Sequence, residues 1–223
     1  MHDFQDDRVK MIEEIRNKYK FDSPKVFSAM LRVPREEFTP ESYKENSYKD
    51  GPIPIGYGQT MSQPYTVAFM THILSLKGGE KILEVGTGSG YQAAVLSKLV
   101  KKIYTIEIIK DLAIKTQERL KSLGFKNVAV REGSGEWGWR ENAPFDAILI
   151  TAGVGEKIPE ELFEELKEGG ILVAPIGKGY DKTMTRFRKI KLPRNLKGAG
   201  RNFKIEKEEF GIFHFVPFVE EPH

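Results

Sequence analysis

The stretch Ile82-Leu83-Glu84-Val85-Gly86-Thr87-Gly88-Ser89-Gly90-Tyr91 decides how this chain is read. Its apolar start predicts a buried strand, its glycines predict a turn, and the residues from Tyr91 to about Lys98 predict a helix. Glycines at 86, 88 and 90 leave the turn without side chains, so a bound molecule can touch backbone there. The helix behind the turn presents free N–H groups and the positive end of its dipole to that molecule.

Two ligand classes use such a turn. The dinucleotide fingerprint is G-x-G-x-x-G, whose third glycine lets the helix lie close on the strand. Here that third place is Tyr91; the glycines alternate instead, and Glu84 stands two residues before the first. An acid followed by alternating glycines is similar to the S-adenosylmethionine (AdoMet) site of Rossmann-like methyltransferases. Glu84 can accept a hydrogen bond from a ligand ammonium or a bound water, and it is a poor neighbour for a pyrophosphate. Strand–glycine–helix turns are common, so on this stretch alone AdoMet, NAD and a ligand-free packing turn all stay open.

Outward from the turn, helices and strands alternate. Helices are expected over 64–76, 91–100, 111–123 and 159–167, and strands over 81–85, 103–108, 127–131, 145–151 and 171–176. Such alternation builds a parallel sheet with helical crossovers. Past Gly179 the pattern changes: 183–192, 203–210 and 212–219 read as strands with no helix between them, an antiparallel end to the sheet. Upstream, helices are expected over 9–19 and from Pro24 to about Arg32, followed by irregular proline-rich segments at 34–40 and 48–56. Irregular segments of that length tend to be functional. One domain of 223 residues is therefore expected, with a helical and loop cover (1–63), a ligand-binding core (64–178) and antiparallel strands (179–223).

Composition narrows the function classes. The hydrophobic fraction of 39% can build a core, and no apolar run approaches the ~18 residues that span a bilayer. The acidic start, Met1 to Asp7, lacks a secretory pattern, so a cytoplasmic protein is expected. The absence of cysteine excludes disulfides and thiol catalysis. Net charge is +3, and the basic residues at Arg186, Arg188, Lys189, Lys191, Arg194 and Lys197 read as a solvated hairpin rather than a nucleic-acid patch. Twenty-four Lys and 24 Glu against 6 Asn lean toward a thermophilic source.

Ligands of such sheets bind beyond the carboxyl ends of the strands. Glu107, followed by Ile108, ends the second core strand 21 residues after Gly86, where an acid accepts from ribose hydroxyls. Gly133-Ser134-Gly135 ends the third, where an adenine is expected, and Thr151-Ala152-Gly153 ends the fourth, near the reacting end. Thr60 and Ser62 can face the same crevice from upstream, although Ser62 can equally cap a helix beginning at Pro64. His72 and His214 lack partners at metal spacing and read as packing or surface residues, as do Trp137 and Trp139; no metal is expected.

Val33-Pro34-Arg35-Glu36-Glu37-Phe38, Gly58-Gln59-Thr60-Met61-Ser62-Gln63-Pro64, Leu83 to Val95, Tyr104 to Ile109, Ala143 to Asp146 with Thr151-Ala152, and Phe215-Val216-Pro217-Phe218 together resemble the protein-L-isoaspartate (D-aspartate) O-methyltransferase family. The likeness covers roughly residues 20–220. It implies an AdoMet-type Rossmann sheet whose last strands are exchanged relative to most methyltransferases. It also implies methyl transfer from AdoMet to the α-carboxyl of L-isoaspartyl residues in damaged proteins and peptides, leaving S-adenosyl-L-homocysteine. The methyl ester then cyclises to a succinimide. The family's active-site hydroxyl falls on Ser62, and its cofactor contacts fall on Thr60, Met61, Ser62, Glu84, Gly86, Gly88, Glu107, Ile108, Gly133 and Ser134. Ser134 stands where the family usually has an aspartate that accepts from the adenine amino group, which predicts weaker cofactor binding. Arg140 replaces a common proline, and the Pro193–Asn202 loop is longer than usual. A carboxylate nucleophile is ionised at neutral pH, so no general base is required. A monomer with no nucleic-acid or membrane partner is expected. The alternatives are another AdoMet methyltransferase or a non-catalytic AdoMet-binding module. RNA methylation would call for a tetrad such as N-P-P-Y, which Thr151-Ala152-Gly153-Val154 cannot supply.

Overall fold

Strict alternation along β3 (Lys81–Val85) sorts its side chains between two apolar clusters, Ile82 into one and Leu83 with Val85 into the other. Both faces of this central strand are covered, which is why it reads as a continuous apolar run. Its neighbours are β4 (Lys102–Glu107) and β6 (Phe145–Ile150), both parallel, with Glu84 opposite Thr105 on one side and Leu149 on the other. This register puts Glu84, Thr105, Glu107 and Thr151 on one face at the carboxyl ends of three adjacent strands. The placement of the site thus follows from strand pairing.

In this computed structural model, which describes residues 4–192 and 203–217, the remaining elements complete an α/β domain. Before β3 come α1 (Gln5–Tyr19), α2 (Pro24–Leu31), the hairpin β1 (Ile53–Gly56) and β2 (Gln59–Met61), and α3 (Pro64–Ile73). After it come α4 (Tyr91–Ser97), α5 (Lys110–Ser122), β5 (Val128–Glu132), α6 (Glu160–Glu165), β7 (Leu166–Ile176), β8 (Asp181–Lys191) and β9 (Phe203–His214). The seven-stranded sheet has the order β5-β4-β3-β6-β7-β8-β9, parallel as far as β7 and antiparallel beyond it. The last two strands run outward in chain order, the exchange that the resemblance implied. The larger apolar cluster holds α1 to α4 on one face, and the smaller one seats α6 on the other through Leu162 and Phe163.

Three segments differ from the sequence expectation. The proline-rich stretch contains the β1–β2 hairpin, with Ile53 opposite Met61 and a register shift at Gly56; prolines are tolerated there because the pair has free edges. Helix α6 ends at Glu165, and β7 begins at once, because Leu166 pairs with Phe145 and Lys189 from β8 donates to the Phe163 and Leu166 carbonyls at 2.7 Å each. The two strands expected around Gly211 are one: β9 runs through it, opposite β8. Beyond His214 the chain leaves the sheet and crosses the top of β6, where the Gly153 N–H donates to the Val216 carbonyl at 2.8 Å. Of the basic hairpin residues, Arg186 pairs with Glu208, Lys191 pairs with Glu168 and Lys189 donates to carbonyls. The expected Pro193–Asn202 loop, Arg194 and Lys197 within it, the start of the acidic N-terminus and Phe218-Val219 lie outside the described residues. Among the described residues no helix is long and apolar enough to cross a membrane.

Candidate cofactor and substrate site

The glycine turn is held from below by side chains on that one sheet face. Thr151 Oγ1, at the end of β6, donates to the Gly86 carbonyl at 2.5 Å and reaches the Val85 carbonyl at 3.0 Å. Gly86 has φ of +96°, and a Cβ there would stand 2.5 Å from Thr151 Oγ1, so this position has room only for glycine. Thr87 and Thr105 share a hydroxyl contact of 2.7 Å, and Thr105 donates in turn to Glu84 Oε2 at 2.6 Å. Glu84 is fully buried, and its Oε1 has no partner. Burial pushes its carboxyl up to about 8; the Thr105 hydrogen bond works against this rise and the Glu107 charge adds to it.

Glu107 is locked in place. Its Oε2 accepts the Gly88 N–H at 2.8 Å, and its Oε1 accepts the Ile109 N–H at 3.1 Å. Each oxygen keeps a further lone pair for the cleft that it lines. The Gly133 N–H donates to the Glu107 carbonyl at 2.9 Å, tying the end of β5 to the end of β4. Ser134 is buried; its hydroxyl donates to Glu136 Oε1 at 3.1 Å and accepts the Glu136 N–H at 3.4 Å. Its neighbour Gly135 is the residue of this turn that lines the cleft.

Two clefts meet above these groups. The first, about 590 Å³, is walled by Thr60, Gly86, Gly88, Glu107, Ile108 and Gly135, and closed by Val216 and Pro217. The second, about 760 Å³, is walled by Ser62, Gln63, Tyr65, Phe213, His214 and Phe215. Thr60 and Thr151 line both. A recess beneath them is lined by Met61, Ser62, Gly86, Gly88, Tyr91 and Gln92. Thr60, Met61, Ser62, Gly86, Gly88, Glu107 and Ile108 are thus brought together, while Glu84 stands behind the turn and Gly133 and Ser134 stand behind Gly135. Gln59 and the crossing segment Val216-Pro217 were not singled out from the sequence as contacts, while Thr151 and Gly135 were expected near the reacting end and the adenine and do line the cleft.

The cover is held by long-range side-chain bonds. Asp50 accepts from Tyr19 Oη at 2.6 Å, Gln63 Nε2 at 2.9 Å and Lys18 Nζ at 3.2 Å. It also accepts the Tyr65 N–H at 3.2 Å, so α3 takes its cap from Asp50 and Ser62 is not the cap. Burial alone would raise the Asp50 carboxyl; these donors outweigh it and hold it below its ordinary value. The hairpin arches over the glycine turn, and at its tip Tyr57 Oη donates to Asp111 at 3.1 Å and accepts from Lys115 at 3.2 Å. Tyr19 stacks on Tyr65 at 3.6 Å, which faces Phe213 in turn, giving the second cleft an aromatic wall.

His72 meets Ser23 at 3.0 Å away from the clefts, and His214 pairs with Asp181 at 2.8 Å on the rim. Trp139 packs edge-on against Tyr104, and Trp137 is exposed. Among the described residues no group of His, Cys, Asp and Glu is placed to hold a metal. The site therefore combines a side-chain-free cradle, a fixed acid facing the cleft and a buried acid with an unpartnered oxygen. That donor and acceptor set fits a nucleoside carrying a cationic tail. Among the described residues no histidine lines the cradle, which suits a nucleophile already ionised.

Comparison with known proteins places this geometry. The family model for protein-L-isoaspartate (D-aspartate) O-methyltransferase matches residues 6–203. The protein-L-isoaspartate O-methyltransferase of Dictyoglomus thermophilum is 44% identical over 219 residues, covering 98% of this chain and 94% of the relative. A solved protein-L-isoaspartate O-methyltransferase superposes with a TM-score of 0.80 at 28% identity, over 96% of this chain and 66% of that longer one. A Plasmodium falciparum structure described as a β-aspartate methyltransferase in complex with S-adenosyl-L-homocysteine shares the fold, with a TM-score of 0.78 at 24% identity over 98% and 99% of the two chains. With a family model spanning most of its length and a near-full-length relative at that identity, this chain belongs to the protein-L-isoaspartate (D-aspartate) O-methyltransferase family.

Proposed function

We propose that this protein transfers a methyl group from AdoMet to the α-carboxyl of L-isoaspartyl residues in damaged proteins, with S-adenosyl-L-homocysteine as the other product. The observation that carries the reading is the meeting of the two clefts at Thr60 and Thr151, a cradle for a nucleoside on one side and a groove for a peptide on the other. AdoMet supplies an electrophilic methyl group on a sulfonium. Glu107 receives the ribose hydroxyls, and Gly86, Gly88, Ile108 and Met61 give the cofactor backbone and apolar contact. Gly133 and Ser134 support the adenine end, while Glu84, buried behind the turn, offers its unpartnered oxygen as an acceptor toward the cationic end. Ser62 is the catalytic hydroxyl; with Thr60 it orients the substrate carboxylate.

The substrate oxygen arrives ionised, so the residues need only align it with the methyl carbon and exclude water. The ester formed cyclises to a succinimide without further help. Residues 1–63 act as cover, 64–178 as the cofactor-binding core and 179–223 as the closing strands of one domain. The protein acts as a cytoplasmic monomer on protein and peptide substrates and not on nucleic acid, and its Lys and Glu enrichment suits a thermophilic source. The test offers radiolabelled AdoMet with an isoaspartyl peptide and with its aspartyl twin. Label should pass to the first alone. Transfer to neither while AdoMet still binds would replace this reading with that of a binding module.

A further inference from the structure

Among the described residues Arg35 is the largest fully buried side chain, and its guanidinium makes no ion pair there. The neighbouring Glu36 is turned the other way, to Arg8 and Tyr48. Arg35 instead donates through Nε to the Ser47 carbonyl at 2.7 Å and through Nη2 to the Ser62 carbonyl at 2.8 Å. Its guanidinium lies over the Tyr91 ring at 4.6 Å, at the first turn of the helix that follows the glycine turn. Arg35 and the Tyr91 hydroxyl also attract each other electrostatically, although Arg35 Nη1 makes no hydrogen bond of regular geometry. A charge buried like this is costly, and an apolar side chain of similar volume would fill the space at lower cost. What an apolar residue cannot do is fix the directions of two carbonyls on separate loops with one rigid fork.

We propose that Arg35 is a positioning residue for methyl transfer: by clamping the Ser62 carbonyl against Ser47 and Tyr91, it holds the Ser62 hydroxyl in register with the cofactor cradle. The inference rests on the reading of Ser62 as the hydroxyl that orients the substrate carboxylate. Segment 59–63 has only the short β1–β2 ladder of its own, so the orientation of Ser62 is set from outside the segment. Arg35 reaches it from 27 residues upstream, from below the recess that Ser62 and Tyr91 line together. Lysine keeps the charge but carries its donors on one freely rotating nitrogen, so it cannot fix both carbonyls in the planar geometry of the fork.

The test is a double-mutant cycle with Arg35→Lys and Ser62→Ala, read as kcat and KM for an isoaspartyl peptide. Calorimetric AdoMet affinity and melting temperature serve as readouts independent of turnover. Arg35→Lys should lower kcat/KM roughly tenfold while AdoMet affinity stays within about threefold. In the Ser62→Ala background the same change should have almost no further effect, since residues acting as a unit are not additive. If Ser62→Ala lowers turnover and the two losses multiply, Arg35 only supports the fold and the proposal falls. If Ser62→Ala changes nothing, the reading of Ser62 falls first and the proposal with it. Should Arg35→Lys fail to fold, the unmodified protein decides the matter. The nitrogen-15 signals of the Arg35 guanidinium should move on saturation with the isoaspartyl peptide and not with its aspartyl twin, and identical spectra would overturn the proposal.

Discussion

The glycine turn and the cover above it form opposite walls of one site and are built in different ways. The turn is set by backbone: three strands in register, a glycine that tolerates no Cβ and two carboxylates that the register puts on one face. The cover is set by side chains from distant parts of the chain, Asp50 gathering Tyr19, Gln63 and the start of α3, and Arg35 gathering Ser47 and Ser62. The wall that must fit one invariant cofactor is rigid by construction. The wall that must admit many damaged peptides hangs on a few polar bonds, each of which can be removed singly.

That contrast can be broken most sharply at Gly86. Gly86→Ala combines a positive φ with a clash against Thr151, so it should cost about 3 kcal/mol of stability and weaken AdoMet more than about a hundredfold. Thermal melting and titration calorimetry would read both effects, and normal affinity would show that the turn adapts. Asp50→Asn should act on the other wall alone. It removes charge-assisted bonds worth about 2 kcal/mol and raises KM for peptide with AdoMet affinity unchanged. Because Asp50 is held below its ordinary value of 3.8, its contribution is present above that pH and is lost as the pH falls through the lower folded value. Wild type and Asp50→Asn should therefore converge in melting temperature in strong acid.

Glu84 behaves in the opposite sense. Its carboxyl sits near 8 in the folded protein against an ordinary 4.5, so the folded state holds a proton that the unfolded state releases between those values. Stability falls as pH rises through that window. Glu84→Gln, neutral at every pH, should melt higher than wild type at pH 8 and level with it at pH 5. A gap that is the same at both values would show that Glu84 is ionised throughout. Smallest is Ser134→Asp. An acid there should tighten AdoMet by only about threefold, since Ser134 donates to Glu136 and a carboxylate facing that acid gives back part of the gain. Calorimetry showing weaker binding would mean that the adenine end is organised around the serine hydroxyl.

The two walls also differ in how much the sequence revealed of them. Ile82 to Tyr91 announced strand, turn and helix because each element there obeys a local rule, and Glu107 followed from counting along the next strand. Local rules fail where distant residues decide. Pro54 and Gly56 hid the β1–β2 hairpin, the pairing of Leu166 with Phe145 extended β7 back over residues that read as helix, and Gly211 suggested a break where β9 instead shifts register against β8 between Glu209 and Ile212 and continues. Ser62 was legible as a candidate, but nothing near it in sequence showed that Asp50 would take the capping role or that Arg35 would hold its carbonyl. Those bonds span 15 and 27 residues and have no periodicity to betray them.

The segment after β9 ties the cofactor cleft to the opposite edge of the sheet. Val216 and Pro217 close the cofactor cleft by crossing the end of β6, 63 residues after Gly153, to which they bind. The wall therefore belongs to the far edge of the sheet: it stands over the cradle only when β8 and β9 have paired outward from β7 and carried the chain back to Gly153. Loosening that edge should open the cofactor cleft without touching the glycine turn.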